Sequence, residues 1–421
     1  MSRIAVTTLG TLGDLHPMIA IALELRQRGH SVVFVTHEVY RSKLQALGFE
    51  FHAMRPDFTA MNDPQEMAQM MDLKTGQEYM VRQWVNPHLR EMYTDLLNVA
   101  KSADFIFSGE GVIATPLVAE KLGMQWASSA MVPLSFFSIY DPPVLAPFPA
   151  LAKLYKLGPL VNRGVLNFAK IVSNSWAEPI RQLRQELGLS PIDYNPFLEN
   201  RFSPYLVVAL FSSVFGQPQP DWPANTIVAG FTFYDGAQEG AELVPELKQF
   251  LEAGDPPIVF TLGSAAVMNA GNFYQESLQA VEQLNRRAVF LMGNNPPLEN
   301  LPANVLAVNY APYSQIFPCA CAIVHQGGIG TTAQALRAGR PTLIMPYSHD
   351  QPDNAARVER LETSRTIPRK QYGAERVARQ LNELLENPSY AAKAAEIGAI
   401  IRAEDGVNAA SDAIEKQLEA A

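Results

Sequence analysis

The segment CAIVHQGGIGTTAQALRAGRPTLIMPY, residues 321–347, contains a short apolar run, a glycine-rich turn, a stretch with helical spacing and a second apolar run. The two apolar runs have the length of buried strands, and the stretch between them has the length and spacing of a helix. A strand, a helix and a second strand in this order form parallel neighbours in one sheet. The segment therefore predicts an α/β domain with a parallel sheet.

The same alternation recurs in both halves of the chain. In the first half, RIAVTTLG (3–10) and SVVFVTH (31–37) are predicted strands on either side of the helical PMIAIALELRQRGH (17–30). In the second half, PPIVFTLGS (256–264) and AVFLMG (288–293) are predicted strands on either side of a helix. We therefore expect two Rossmann-like, doubly wound domains. Because ligands bind beyond the carboxyl ends of such strands, we expect the domains to face each other across a cleft.

The boundary between the domains is predicted in QPQPDWPANTIVAGFTFYDGAQEG (217–240), which is rich in proline, glycine and other turn residues. The apolar SPYLVVALFSSVFG (203–216) before it is expected to contain the last strand of the first half. We expect a first domain over 1–220, a linker over 221–240 and a second domain from residue 241.

The composition excludes several classes of protein. A formal charge of −9 argues against a nucleic-acid partner, because phosphate contacts need a basic face. The chain has 48% hydrophobic and 18% charged residues and no apolar run of the ~20 residues that a membrane span needs, so a soluble protein without an integral membrane segment is expected. The N-terminus has no pattern of an export signal, and a cytoplasmic location is therefore expected.

The turn HQGGIGTT (325–332) is the first candidate binding site. Glycine lets the backbone approach a ligand closely, and a helix N-terminus offers unpaired N–H groups and about half a positive charge. The turn is either a phosphate site or a simple tight turn. His325 favours the phosphate site because its ring can donate to a phosphate oxygen, although a buried core histidine is the alternative.

The motifs around this turn resemble a known family. H-x-G-G-x-G-T-T, A-L-R-A-G-x-P and P-x-x-x-D-Q-x-x-N-A follow one another over residues 325–355. They resemble the nucleotide-sugar motif of the UDP-glycosyltransferase superfamily, whose members are inverting enzymes with the GT-B fold. The resemblance extends over nearly the whole chain, is strongest over 258–360 and TLGTLGDLHP (8–17), and is weakest over 50–200. More narrowly, the motifs resemble bacterial rhamnosyltransferases that act on lipids and natural products.

The resemblance implies a function. It implies that the chain transfers a sugar, rhamnose or another hexose, from a dTDP- or UDP-sugar to a hydroxyl of a hydrophobic acceptor such as a lipid, a flavonoid or another natural-product aglycone. It implies an acceptor-binding domain over 1–220, a nucleotide-sugar domain over 241–407 and a C-terminal helix (408–421) that packs back on the first domain. The protein is expected to be a monomer or homodimer with small-molecule partners and no cofactor beyond the nucleotide sugar. A non-catalytic nucleotide-sugar sensor is the competing hypothesis.

The family motif assigns donor-binding residues in both halves. The glycine-rich turn would hold the diphosphate together with the Ser264 hydroxyl, Asp350 and Gln351 would hold sugar hydroxyls, and Tyr310 stands where many relatives have a tryptophan that stacks on the base. Tyr310 is alternatively a core residue. The expected donor-binding residues are Gly13, Ser264, Tyr310, Ala311, His325, Gly327, Gly328, Gly330, Thr331, Asp350 and Gln351.

One departure from the family pattern concerns the nucleotide. Many UDP-sugar enzymes have a glutamate that binds the ribose about eight residues past the motif histidine, whereas this chain has Ala333 there and Gln334 next. The loss of that carboxylate favours a deoxyribose and hence a dTDP-sugar, although Gln334 is able to serve a ribose.

The second departure concerns the catalytic base. Plant and animal relatives have a histidine after the glycine of the first loop, whereas Asp14 follows Gly13 here and His16 lies two residues later. We expect Asp14 to act as general base, with His16 as the alternative. A carboxylate of ordinary pKa ~3.9 is a weak base unless burial raises that pKa. Since the chain contains no D-x-D, and His325 with the helix N-terminus can stabilise the leaving diphosphate, no metal is expected.

The acceptor site is the least specified. Methionine and aromatic residues between 57 and 100 either fill the core or form an adaptable apolar wall for a ligand. Peripheral membrane contact is possible for a lipid acceptor, but no basic amphipathic helix is recognised in the sequence. The expected acceptor-binding residues are Met80, Trp84, Phe136 and Phe137.

Overall fold

The computed structural model describes residues 1–57, 63–234 and 243–420. The chain divides into two compact units. Unit 1 consists of Met1–Met70, Lys74–Phe233 and Asp405–Ala421, and unit 2 of Met71–Leu73 and Tyr234–Glu404. Each unit contains one parallel sheet whose strands alternate with helices, which confirms the prediction of two α/β domains.

The sheet of unit 1 is parallel throughout. Its central strands are apolar along their whole length because both faces of a parallel sheet are covered. The strands are β1 (Arg3–Thr7), β2 (Ser31–Thr36), β3 (Glu50–Ala53), β4 (Phe105–Ser108), β5 (Trp126–Ala130), β6 (Leu206–Ala209) and β7 (Thr226–Val228). They lie in the order β3-β2-β1-β4-β5-β6-β7, so that β1 and β4 are neighbours at the point where the strand order reverses.

The helices of unit 1 connect these strands. The α-helices are α1 (Leu12–Gln27), α2 (Arg41–Ala46), α3 (Pro64–Met70), α4 (Gly76–Tyr79), α5 (Leu89–Ala100), α6 (Thr115–Leu122), α7 (Pro159–Ser173) and α8 (Glu178–Glu186). A π-helical turn covers Met80–Val85, and 3-10 segments cover Glu38–Tyr40, Pro133–Phe136, Pro149–Leu157 and Asn174–Ala177.

Strand β7 lies inside the segment predicted as a linker. Residues 226–228 pair with β6 at the edge of the sheet, so the strand in SPYLVVALFSSVFG is the penultimate strand of unit 1 and not the last. A strand of three residues between proline and glycine has no detectable alternation of its own, and its pairing with β6 determines it. The end of the predicted linker, residues 235–240, lies outside the described residues.

Unit 2 repeats the architecture with six parallel strands. Its strands are β8 (Ile258–Thr261), β9 (Ala288–Leu291), β10 (Val305–Val308), β11 (Ala322–His325), β12 (Thr342–Ile344) and β13 (Ser364–Thr366) in the order β10-β9-β8-β11-β12-β13. Its helices are α9 (Pro245–Glu252), α10 (Gly263–Ala266), α11 (Phe273–Leu284), α12 (Tyr313–Ile316), α13 (Ile329–Ala338), α14 (Gln351–Arg360), α15 (Ala374–Glu386) and α16 (Pro388–Ala403), with 3-10 segments at Val267–Asn269, Phe317–Cys319 and Arg369–Gln371.

The last helix, α17 (Gly406–Glu419), belongs to unit 1 and packs against α1. Arg28, at the end of α1, forms ion pairs with Asp412 and Glu415 of α17. A side chain at Gly406 would overlap the backbone around Phe231, so only glycine lets the helix begin so close to the chain.

The methionine-rich segment is largely part of the core. Met67, Met70 and Met71 are buried, as the packing alternative predicts. Phe58 and Met61 lie outside the described residues.

Candidate functional site

Asp14 lies in the first turn of α1, directly beyond the carboxyl end of β1. Thr11 is the N-cap of the helix, and its backbone N–H donates to Asp14 Oδ2 at 2.8 Å. In return, the Thr11 hydroxyl oxygen accepts from the Gly13 N–H at 3.3 Å. This capping arrangement fixes the Asp14 carboxylate relative to the start of the helix.

The loop before Asp14 is held by residues that follow the neighbouring strand β2. The Gly10 N–H donates to His37 Nε2 at 3.1 Å, and the Tyr40 hydroxyl donates to the Gly10 carbonyl oxygen at 2.9 Å. His37 Nδ1 lies 2.7 Å from the Pro56 carbonyl oxygen, so Nδ1 carries the proton and Nε2 accepts. Burial lowers the His37 pKa to about 4, which keeps this ring neutral.

Gly10 is required next to the carboxylate. It has a φ of 127°, and a Cβ there would overlap the Asp14 carboxylate. The glycine therefore makes the space in which Asp14 lies.

The pKa of Asp14 is raised, whereas the pKa of His16 is lowered. Burial raises the Asp14 pKa to about 6, with a further rise from the negative charge of Glu110 and opposition from the hydrogen bonds of Thr11. Burial, together with the charge of Lys43, lowers the His16 pKa to about 4. Since Lys43 Nζ lies 3.2 Å from His16 Nε2, that nitrogen accepts from the ammonium group.

Glu110 follows β4 and is a residue that the sequence did not single out. Its carboxylate accepts from the Met131 N–H, the Ser135 hydroxyl and the guanidinium of Arg201, the last at 2.7 Å. These three donors hold the Glu110 carboxylate at the same edge of the sheet as Asp14.

The glycine-rich turn of unit 2 joins β11 to α13. Gly328 is the N-cap of α13 and provides no capping side chain, so the first N–H groups of the helix, including those of Gly330 and Thr331, are not capped by this residue. Gly327 has a φ of 88°, which favours glycine at this position. The predicted strand, turn and helix are therefore present at the predicted residues.

His325 is completely buried at the end of β11, and one of its nitrogens has no hydrogen-bond partner within the described ranges. The Gly327 N–H donates to His325 Nδ1 at 3.0 Å, which places the ring proton on Nε2. Nε2 has no hydrogen-bond partner among the described residues. Burial lowers the His325 pKa to about 3, so the ring is neutral and Nε2–H is an unsatisfied buried donor.

Three other residues near the turn also have a buried polar atom that makes no hydrogen bond among the described residues. Gln326 Oε1, Thr332 Oγ1 and Asn354 Oδ1 are buried without a partner in the described part of the chain. Buried polar groups are usually paired, so such a group of atoms is typical of a site that a ligand completes.

The loop after β8 lies against the glycine-rich turn. A Cβ at Gly263 would overlap Gln326 Nε2 and lie 3.2 Å from Thr331 Oγ1. The next residue, Ser264, is exposed at the start of the short helix α10. The structure therefore brings the predicted Ser264 close to the predicted turn.

Asp350 is joined to the same turn through Asn354, and the Gln351 carbonyl oxygen lies 3.2 Å from where a Cβ of Gly327 would be. The Asn354 side-chain amide donates to the Gly327 carbonyl oxygen at 2.9 Å and to Asp350 Oδ2 at 2.6 Å. Gln351 is buried, and its Oε1 accepts from the Tyr347 N–H at 2.9 Å. Asn354 belongs to the motif P-x-x-x-D-Q-x-x-N-A, but the sequence did not predict that it links Asp350 to the glycine-rich turn.

The other predicted donor residues of unit 2 have contrasting environments. Tyr310 is 65% exposed, so the alternative that it belongs to the core is wrong. Ala311 is buried in the apolar core of unit 2, which leaves only its backbone for a ligand. Ala333 and Gln334 are both buried on α13.

Two of the four predicted acceptor residues line one cavity of unit 1. Phe136 and Phe137 border a cavity of about 300 Å³, and Phe136 stacks on Trp222 with ring centroids 4.0 Å apart. Met80 and Trp84 are half-buried in the π-helical turn and do not line this cavity. The cavity is lined by Phe136, Phe137, Ile139, Arg163, Leu166, Asn167, Lys170, Leu198 and Asp221.

Within residues 1–57, 63–234 and 243–420, no helix has the length and apolar character needed to cross a membrane.

Two family descriptions match the chain. The glycosyltransferase family 28 N-terminal domain matches residues 4–107, and the erythromycin biosynthesis protein CIII-like C-terminal domain matches residues 275–413. The chain is 31% identical to O-mycaminosyltylonolide 6-deoxyallosyltransferase of Streptomyces fradiae, over 99% of this chain and 98% of that protein. It is 28% identical to sterol 3-beta-glucosyltransferase UGT80B1 of Arabidopsis thaliana, over 99% of this chain and 68% of that protein.

Solved structures share the fold. The glycotransferase of kitacinnamycin matches with a TM-score of 0.73 and 21% identity, over 99% of both chains. Spinosyn rhamnosyltransferase SpnG, complexed with thymidine diphosphate, matches with a TM-score of 0.68 and 16% identity, over 99% of this chain and 100% of that chain. Together with the two parallel sheets, these matches identify the fold as GT-B. The chain belongs to the UDP-glycosyltransferase superfamily and is a glycosyltransferase of the natural-product or sterol type.

Proposed function

We propose that this glycosyltransferase transfers a sugar from a dTDP- or UDP-sugar, preferentially dTDP, to a hydroxyl of a hydrophobic acceptor with inversion, and that Asp14 is its general base. The observation that carries the donor half of this proposal is the buried, unsatisfied Nε2–H of His325 in the turn that leads into α13. A neutral N–H donor and an uncapped helix N-terminus both favour a phosphate oxygen as partner.

The diphosphate is the leaving group of the proposed reaction. The bond between the anomeric carbon and the diphosphate oxygen breaks, and its electron pair remains on the diphosphate. The N–H groups at the start of α13 and the His325 Nε2–H stabilise the charge that develops there. Because these groups are fixed in place before the reaction, we infer that the enzyme does not require a metal ion.

Asp14 supplies the other half of the reaction. As the acceptor oxygen forms its bond to the anomeric carbon, the hydroxyl proton passes to the Asp14 carboxylate. A pKa of about 6 makes Asp14 a stronger base than an ordinary aspartate while it remains mostly ionised at pH 7. His16 is the weaker candidate because its pKa is about 4 and Lys43 donates to its Nε2.

The preference for a dTDP-sugar has two supports. The chain has Ala333 where many UDP-sugar enzymes have a ribose-binding glutamate, and both Ala333 and Gln334 are buried. Structures of SpnG and SsfS6 complexed with thymidine diphosphate, and of VinC with dTDP, share this fold. A 6-deoxyhexose such as rhamnose is the proposed sugar, since a relative is named as a 6-deoxyallosyltransferase and a structural neighbour as a rhamnosyltransferase.

The proposed acceptor is a largely apolar molecule with a few polar groups. The cavity beside Phe136 and Phe137 combines aromatic and aliphatic walls with the charged side chains of Arg163 and Asp221. Such a lining suits a macrolide or a sterol better than a free sugar, and one relative is named as a sterol 3-beta-glucosyltransferase.

The proposal is tested by calorimetric titration of the whole chain with dTDP and UDP, each with and without a chelator. We expect one binding site, tighter binding of dTDP and no effect of the chelator. Tighter binding of UDP would overturn the dTDP preference, and loss of binding or of transfer in chelator would overturn metal independence. Inversion is then checked by nuclear magnetic resonance of the glycoside formed from a donor of known anomeric configuration.

A further inference from the structure

The 3-10 segment Pro149–Leu157 and helix α7 together form an exposed apolar surface on one side of unit 1. None of the nine residues of the 3-10 segment is buried. Leu157, Leu160 and Ile171 are 67%, 82% and 75% exposed. We call this surface the 148–172 face. Its large apolar side chains include Phe148, Leu154, Leu157, Leu160, Phe168 and Ile171.

Helix α7 presents this face because its opposite side is anchored in unit 1. Asn162, Val165 and Leu166 are buried, and the Asn162 amide donates to the Ile139 carbonyl oxygen at 2.8 Å. At 3.6 residues per turn, Leu160 and Ile171 lie on one stripe and Phe168 lies beside it, away from the buried side. The helix is therefore held in place while it exposes large apolar side chains.

The charge of this segment differs from that of the rest of the chain. Residues 142–177 contain four basic residues and no aspartate or glutamate, whereas the whole chain has 42 acidic residues among 421 and a net charge of −9. Lys170 pairs with Glu199 at 2.9 Å, and Lys153, Lys156 and Arg163 are exposed. Cations therefore flank the apolar face.

We propose that the 148–172 face docks the enzyme onto the surface of an anionic lipid bilayer. Apolar side chains beside lysine and arginine are the pattern of a segment that lies in the membrane interface, where the former enter the acyl boundary and the latter contact anionic headgroups. A second copy of the chain is a poorer partner. In a two-fold dimer the same patch faces itself, and its cations would lie against each other.

The sequence alone does not reveal this surface. Gly158 and Pro159 interrupt the segment, and the part before them is a 3-10 helix, so no single helical period runs through it. The surface emerges only when the two elements are placed together.

The docking face adjoins the cavity of unit 1. Arg163, Leu166, Asn167 and Lys170 of α7 line that cavity at spacings of three and four residues, which is the neighbouring stripe of the same helix. An enzyme docked through α7 would therefore have this cavity beside the bilayer, where an amphiphilic molecule is concentrated.

The test is flotation of the full-length protein with vesicles, without donor or acceptor, so that its outcome does not depend on the proposed reaction. We expect binding to phosphatidylglycerol-containing vesicles, little binding to pure phosphatidylcholine vesicles and weaker binding at high salt. The double variant Leu160→Ser/Ile171→Ser should lower the bound fraction at least fivefold. The matched control Val39→Ser/Ile400→Ser, which alters exposed apolar residues elsewhere, should leave it unchanged.

Charge reversal provides the second variant. Lys153→Glu/Lys156→Glu should abolish the preference for anionic vesicles, and circular dichroism checks that each variant is folded. Failure of the wild-type protein to bind either vesicle overturns the proposal, as does binding that both double variants retain. Light scattering that shows a dimer disrupted by Leu160→Ser/Ile171→Ser, without vesicle binding, would assign the face to a second copy instead.

Discussion

The Thr11 backbone N–H donates to Asp14 Oδ2 at 2.8 Å, so the proposed base is also a capping residue of α1. The Thr11 hydroxyl also donates to this oxygen, at 3.4 Å. An asparagine at residue 14 retains an oxygen that accepts from Thr11 but has no ionisable group. Capping and basicity can therefore be separated by a single substitution.

We expect Asp14→Asn to lower kcat by about 10²- to 10⁴-fold, the usual contribution of a general base. The Kd for dTDP should be unchanged, because the proposed nucleotide site lies in unit 2. Transfer kinetics and calorimetry measure the two effects. Asp412→Asn, which removes a carboxylate on the exposed side of α17, is the control and should retain activity. Full activity of Asp14→Asn would exclude Asp14 as base, and a wild-type protein that binds nucleotide without any transfer would favour the sensor hypothesis.

The pH dependence of kcat/KM distinguishes the two candidate bases. A general base acts only when deprotonated, so activity falls as the pH drops through its pKa. With Asp14 as base we expect the acidic limb to have its midpoint near pH 6, since burial raises the pKa to about 6. With His16 as base, the midpoint would lie near pH 4. A rate profile of wild-type protein and of His16→Gln, which should keep the midpoint near 6, decides between them.

Gly10→Ala should impair catalysis without affecting nucleotide binding. The added Cβ overlaps the Asp14 carboxylate, and φ is 127° at this residue, so both the carboxylate and the loop must shift. We expect kcat to fall at least tenfold, because small displacements of a catalytic group have large effects on rate. Gly29→Ala is the matched control: φ is 94° there, but a Cβ would meet nothing within 4 Å. It should show a similar loss of stability of about 1–3 kcal/mol and normal kcat. Equal kinetic effects of the two substitutions would argue against the importance of the Gly10–Asp14 contact.

The sequence was informative where function depends on local spacing. The β11–turn–α13 unit is predicted because its glycines, its histidine and its helix all lie within 20 residues. In contrast, the contact between Gly10 and His37, 27 residues apart, follows from the pairing of β1 with β2, and no motif marks it.

The ion pair between Glu110 and Arg201 was also not predicted from the sequence. Glu110 and Arg201 are 91 residues apart, and their pairing requires a loop after β4 and another before β6 to meet in space. Single-sequence periodicity reports which residues face a core, but it does not report which strands are neighbours. Strand order is therefore the information that the structure adds to the motifs.

The last prediction concerns the two nitrogens of His325. An asparagine there can place its amide near Nδ1 and accept from the Gly327 N–H, whereas a glutamine can place a donor near Nε2. We therefore expect His325→Asn to weaken dTDP binding by about 1.5–3 kcal/mol, roughly a 10- to 100-fold rise in Kd, which is typical of a lost hydrogen bond to a charged group. His325→Gln should lose less affinity than His325→Asn.

Calorimetry measures both affinities, and thermal unfolding checks that each variant is folded, because His325 is completely buried. The relative affinity of the two variants for dTDP is decisive. If His325 were purely structural, His325→Gln would not be expected to bind dTDP more tightly than His325→Asn. If the two variants bind dTDP as tightly as the wild-type protein, the unsatisfied Nε2–H does not contact the diphosphate. If both lose affinity equally while remaining folded, the histidine acts through the shape of the turn and not through its donor.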